Sequence, residues 1–421
     1  MTNLSRYERL GKIRIDQLDG LRGACAIVVL IHHMIQLSPE GVLESICPIT
    51  LLGIITNLGR LAVYIFFVLS GFVIGYTTPE KYTPKEAKKY ILRRLIRLYP
   101  IYLFAILFSC FLSTELLKIK DIFGNLFFLQ EWLVSTISNN GPLWSLHYEF
   151  FFYLIYILIW RFKLNLNITI VFSLFCALLS NIFSLHIFEI LGLFTLWLGG
   201  FWLSQNIDKI NLVNEDYSST HFWSPLILCS AFFAQNIVGM LIIKYGITHS
   251  FPIPIFCSAL AVIPLTSVVA SLITKKIIPL YNFSLLFLLI LCISTFIYHF
   301  QHKTNLLKIV ENGNPAKISI ILTVILTVLF FLSFLLRNIP IRFFKTTSYI
   351  GNFSYALYVI HFPILVFLNH INITFNPKSS NILCILLLNA LGVILSISLA
   401  YFLESIVHVK IAKVLKKSLN L

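Results

Sequence analysis

Charge is what this sequence has little of. Charged residues make up 12% of its 421 residues, against roughly 25% in a soluble globular domain. That excludes an ordinary water-soluble fold. Paired cysteines are absent too. The eight cysteines, Cys25, Cys47, Cys110, Cys176, Cys229, Cys257, Cys292 and Cys384, stand singly with no CxxC, most of them inside apolar runs. They read as small hydrophobes, neither a disulfide framework nor a metal site, and no metal is expected. Met1 to Asp16 is polar and basic and lacks the apolar core of a cleavable signal peptide. No internal repeat, low-complexity tract or soluble appendage is evident.

What is present is hydrophobic length. Apolar residues reach 58% of the chain, in runs near the ~20 residues that cross a bilayer. Candidate spans fall at 18–37, 58–76, 99–117, 142–160, 168–186, 188–205, 223–243, 252–273, 280–300, 318–336, 350–370 and 381–403. The expected fold is all-α, a polytopic transmembrane helical bundle of about 10–12 spans. Most of the 32 Lys and Arg fall in alternate loops that begin with the N-terminus. This bias places both termini in the cytoplasm. The net charge of +15 is thus mostly an orientation signal, and no nucleic-acid partner is expected. The chain divides into a membrane domain, 1–404, and an amphipathic basic cytoplasmic tail, 405–421, suited to membrane lipid. Asp121 to Val134 is too short and polar to cross and suits a helix lying at the outer interface.

The first apolar run, Leu18 to Met34, carries Arg22 and His33. On a helix they lie within about 20° of one face and ~16 Å apart along it. Ionisable groups at such depth usually face a polar cavity. A neutral imidazole there can take a proton from a hydroxyl, which makes His33 a candidate general base. Arg94 and Arg97, one helical turn apart beside the membrane, can grip phosphates bidentately. Glu149 shares a helix face with Ser145 and Tyr153. It is placed to orient His33, to hold a sugar hydroxyl, or to pair with Arg22 or Arg60. Ser354, Tyr358 and His361 form a polar stripe on a later apolar helix. Gly71 and Gly75 read as a packing motif. Glu404, near Lys410 at the inner surface, calls for no special role.

In order along the chain, LDGLRG with His33, FFVLSGF (Phe66 to Phe72), the arginines before Tyr99-Pro100, Trp144-Ser145-Leu146 with Glu149, and Ser354-Tyr355 with Tyr358 and His361 resemble the acyltransferase 3 family. That family comprises membrane O-acyltransferases of bacterial surface glycans and other acceptors. The resemblance runs from residue 18 to about 365. It implies acetyl-CoA as donor, met from the cytoplasm, with Arg94 and Arg97 on its phosphates. It implies Arg22, His33 and Glu149 as catalytic residues, and Trp144, Ser145, Tyr355 and His361 on the substrate side. The acceptor it implies is a sugar hydroxyl of a polysaccharide, lipopolysaccharide O-antigen or lipid-linked saccharide. The location it implies is the bacterial inner membrane. Buried polar stripes also suit a transporter or flippase of a lipid-linked saccharide, or a structural component of a glycan-assembly complex.

Overall fold

The computed structural model describes residues 16–38, 49–114, 116–183, 185–210, 253–274, 346–375 and 382–419. These residues are mostly helical, joined by turns and short irregular stretches. In chain order the helices are α1 (Asp16–Leu37), α2 (Ile49–Thr77), α3 (Pro84–Leu112), α4 (Ile119–Leu126), a 3-10 turn (Ser138–Leu143) and α5 (Trp144–Phe162). Then come α6 (Leu166–Phe183), α7 (His186–Ile210), α8 (Ile253–Leu260), α9 (Val262–Thr274), α10 (Ser354–Phe375) and α11 (Ile382–Tyr401). A π-helical turn (Phe402–His408) leads into α12 (Val409–Ser418).

Among the described residues, seven stretches are long and apolar enough to cross a membrane: Gln17–Leu37, Gly59–Thr77, Pro84–Leu112, Ser138–Phe162, His186–Ile207, Ser354–Thr374 and Leu383–Ser418. The expected spans 223–243, 280–300 and 318–336 lie outside the described residues. The expected span 168–186 is a shorter apolar helix, and 252–273 is broken at Ala261 into α8 and α9.

Two further differences have local causes. The third span begins at Pro84, well before residue 99. Thr83 caps it, its hydroxyl accepting from the Glu86 N–H at 3.1 Å, and proline occupies the first turn. Arg94 and Arg97 therefore sit inside a helix, not ahead of one. The segment Asp121–Val134 is not one surface helix. After α4 the backbone reverses at Phe128, whose φ is 58°. Tyr102 and Phe150 stack on its ring at 4.3 and 4.5 Å, and Asn125 donates to the Asp121 and Ser135 carbonyls, both at 2.8 Å.

The chain forms two compact units. The first takes Tyr64–Thr77 of α2 together with α6 to α9. Its seam is built on glycine. A Cβ on Gly71 would meet the Trp197 carbonyl oxygen at 1.9 Å, and one on Gly200 would meet that of Val68 at 1.9 Å. The bare backbones pack in direct contact, as small residues permit.

The second unit holds Asp19–Val63, Thr78–Leu164 and Thr347–Leu421. Here the start of α1 is clamped to residues 347–351. The Thr347 hydroxyl donates to the Gly20 carbonyl at 2.8 Å, and Gly23 packs directly on the Thr347 carbonyl. His32 lies over Gly59, whose hydrogen leaves room for the ring. These fixings set the rotation of α1, and with it the directions of Arg22 and His33.

Candidate active site

All the candidate polar residues fall in the second unit, where they form two groups. The first surrounds the start of α1. Arg22, about four-fifths buried, faces Asp19 at 3.5 Å. The charges of Arg97, Asp19 and Glu149 and the Tyr153 hydroxyl all act on it. Glu149 accepts a short hydrogen bond from Tyr153, one turn along α5. Arg94 places its guanidinium carbon 5.6 Å from the Tyr90 ring and 5.9 Å from that of Tyr153. Such cation–π contacts are worth about 0.5–2 kcal/mol each and hold the guanidinium against the two rings. Arg97 is exposed, and among the described residues it has no hydrogen-bond or ion-pair partner. Of the three roles open to Glu149, the structure supports proximity to Arg22. Arg60 stands exposed on α2.

The second group is a pair of imidazoles. The His33 ring centroid lies 5.3 Å from that of His361, and Phe362 packs edge-on against His33 at 4.9 Å. Nδ1 of His33 meets Gln36 Oε1 at 2.9 Å, so Nδ1 carries the proton and Nε2 is bare. Nδ1 of His361 donates to the Leu357 carbonyl at 2.9 Å. Its Nε2 is buried with no hydrogen-bond partner among the described residues. Buried polar atoms are seldom left unpaired in a resting fold.

One side of α10 joins the groups. Tyr355 donates to the Leu98 carbonyl at 3.0 Å and is within electrostatic reach of Glu149 and Glu404. Tyr358 meets the Ser145 hydroxyl at 2.7 Å, and both reach the Pro142 carbonyl. His361 follows, its ring 6.2 Å from that of Tyr358. From Tyr355 to His361 the helix rises ~9 Å. Ser145 is thus a tie between helices. Trp144 opens α5 with its ring edge-on to Tyr148 at 5.6 Å.

Sequence reasoning passed over Tyr90 and Gln36, and gave Glu404 no special role. Tyr90 precedes Arg94 by one turn and Gln36 follows His33 by one, spacings that put each pair in contact on a helix. Glu404 is the only acid after Glu311, which was the available signal. Its carboxylate accepts the Ala356 N–H at 2.8 Å, in the first turn of α10. Among the described residues no cluster of three or more His, Cys, Asp or Glu is arranged to hold a metal.

Against this geometry, one family's sequence model, described as an acyltransferase domain, matches residues 15–401. The chain belongs to the acyltransferase 3 family. Within it, this chain is 32% identical over 160 residues to acyltransferase MdmB of Streptomyces mycarofaciens, a match covering 35% of this chain and 40% of that one. It is 29% identical over 173 residues to peptidoglycan O-acetyltransferase OatA of Listeria monocytogenes serovar 1/2a, covering 36% of this chain and 25% of that one. Both matches therefore span less than half of the relative. No solved structure matches the chain. With seven apolar helices of spanning length among the described residues, this member of the family is a multi-pass membrane protein.

Proposed function

We propose that this acyltransferase moves an acetyl group from acetyl-CoA to a hydroxyl of a surface polysaccharide or lipid-linked saccharide. The observation that carries the reading is the division of polar side chains in one unit. A cationic group holds Arg97, which has no ion pair among the described residues, a pair of imidazoles lies further along, and α10 touches both. The name of OatA, a peptidoglycan O-acetyltransferase, favours acetyl as the group and a glycan as the acceptor.

The arginines fit an anionic donor. Arg97 has open donors, and Arg94 is held by two tyrosine faces with Glu149 hydrogen-bonded to one of them. Guanidinium forks of this kind match phosphate oxygens two at a time. The donor's thioester supplies an acyl group activated for attack. The chain's part is to hold, align and deprotonate. At the other group, Gln36 fixes the tautomer of His33 so that bare Nε2 is the basic atom. It takes the proton of the acceptor hydroxyl as that oxygen attacks, and then gives it to the departing sulfur. Phe362 against the ring keeps bulk water from one side of the base.

The test compares ester-linked acetyl on surface glycans, by mass spectrometry, in strains carrying the wild-type chain and His33→Ala at equal protein level. Purified protein is assayed in parallel for acceptor-dependent loss of acetyl-CoA thioester. The reading expects both signals to vanish in His33→Ala. Unchanged acetylation there, or a wild-type protein that never consumes the thioester, refutes it.

A further inference from the structure

The long last helix does not run straight to its end. At Phe402–His408 it opens into a π turn before α12. Such turns break helical hydrogen-bond regularity and are frequent at functional sites. This one reaches two other helices. Glu404 Oε2 accepts from the Ala356 N–H at 2.8 Å in α10. His408 Nε2 donates to the Ile96 carbonyl at 3.0 Å in α3, one residue before Arg97. The turn thus holds the start of α10 and the arginine-bearing stretch of α3 together.

Glu404 is also within electrostatic reach of Arg97 and Arg22. It makes an ion pair with neither: among the described residues Arg22 pairs with Asp19, and Arg97 has no ion pair. The carboxylate is held back by a backbone N–H at the positive end of α10, a favourable place for it. A negative charge anchored near two guanidiniums, without touching either, does not neutralise them. It lowers the positive potential they present to anything arriving from outside.

We propose that Glu404 is the counter-charge of the donor site. It tempers the grip of Arg97 and Arg22 on the donor's phosphates, so that the spent donor leaves and turnover continues. Glu404 is a positioning residue in this role, acting through the arginines and not on the reacting atoms. The inference rests on reading the arginine group as the donor site.

Glu404→Gln separates this role from a structural one. It keeps an oxygen for the Ala356 N–H and nearly the same volume, and it loses only the charge. Equilibrium binding of CoA to the detergent-solubilised full chain is measured, with KM and kcat for acetyl-CoA. Removing one negative charge near the phosphates tightens CoA by about tenfold. KM falls with it, and kcat falls because release slows. Glu404→Asp, which keeps the charge, binds CoA as the wild type does. A merely structural Glu404 gives the opposite result, with weaker or unchanged binding in Glu404→Gln, and that overturns the proposal. So does Glu404→Asp binding as tightly as Glu404→Gln. Should the glutamine variant fail to fold, Glu404→Met removes the charge at similar volume and carries the same expectation. A wild-type chain that does not bind CoA refutes the donor-site reading itself. A wild-type chain that binds it, unaffected by the loss of charge, refutes only the role of Glu404.

Discussion

Two regions of this molecule solve different problems with the same helices. In the first unit, Tyr64–Thr77 of α2 meets α7 through glycines, backbone against backbone, and Tyr64–Thr77 carries no Asp, Glu, Lys, Arg or His. In the second unit the helices present arginines, carboxylates and imidazoles to one another. The first arrangement gains contact area by leaving side chains out. The second keeps costly side chains, most of them held by specific partners. Damage to the first should therefore remove protein, and damage to the second should remove chemistry while leaving protein in place.

The sharpest break of that contrast is His33→Ala. Loss of a general base lowers acyl transfer by about a thousandfold. Thermal stability and CoA binding should stay near wild type, as checked by a melting scan beside the rate assay. Next is Gly71→Val in the seam. Its side chain would collide with the Trp197 carbonyl, and overpacking of this kind costs about 1–3 kcal/mol or more. Membrane-inserted protein should fall, while the activity per folded molecule should not. Third, Arg97→Gln removes charge-assisted hydrogen bonds worth about 1.5–3 kcal/mol. Donor KM should rise by about 10- to 100-fold, with a smaller change in kcat. His361→Asn should follow, losing Nε2 while keeping an N–H for the Leu357 carbonyl. A fall of about tenfold in kcat with unchanged donor KM would place it beside His33 in the chemistry. The smallest effect belongs to Ser145→Ala. Tyr358 keeps its 2.9 Å bond to Pro142, so about 1 kcal/mol of stability is lost and the kinetics barely move.

The sequence was legible where the physics is local. A single helix carries both Arg22 and His33, and helical geometry alone gives their shared face and separation. Gly71 and Gly75 declared a close crossing, and the structure supplies Trp197 and Ser204 as what they cross. The pairing of Glu149 with Tyr153 follows the same one-turn rule. Illegible were features that depend on partners distant along the chain. Nothing local says that Phe128 adopts φ of 58°, because the reason is a ring stack with Tyr102 and Phe150. Glu404 looked like an interfacial acid beside Lys410, because the Ala356 N–H it serves lies 48 residues earlier. The meeting of His33 with His361 was hidden likewise, though each residue stood out within its own helix.

The clamp on α1 has a consequence for biogenesis. The Thr347 hydroxyl that bonds Gly20 lies 327 residues downstream. Chains are made from the N-terminus, so the first helix leaves the ribosome long before its fastener exists. Until then only near neighbours such as Asp19, Gln36 and Gly59 can hold its guanidinium and two imidazoles. A chain cut short before Thr347 would lack the piece that turns those side chains inward. Premature termination late in the gene would therefore leave a first helix inserted but unaligned.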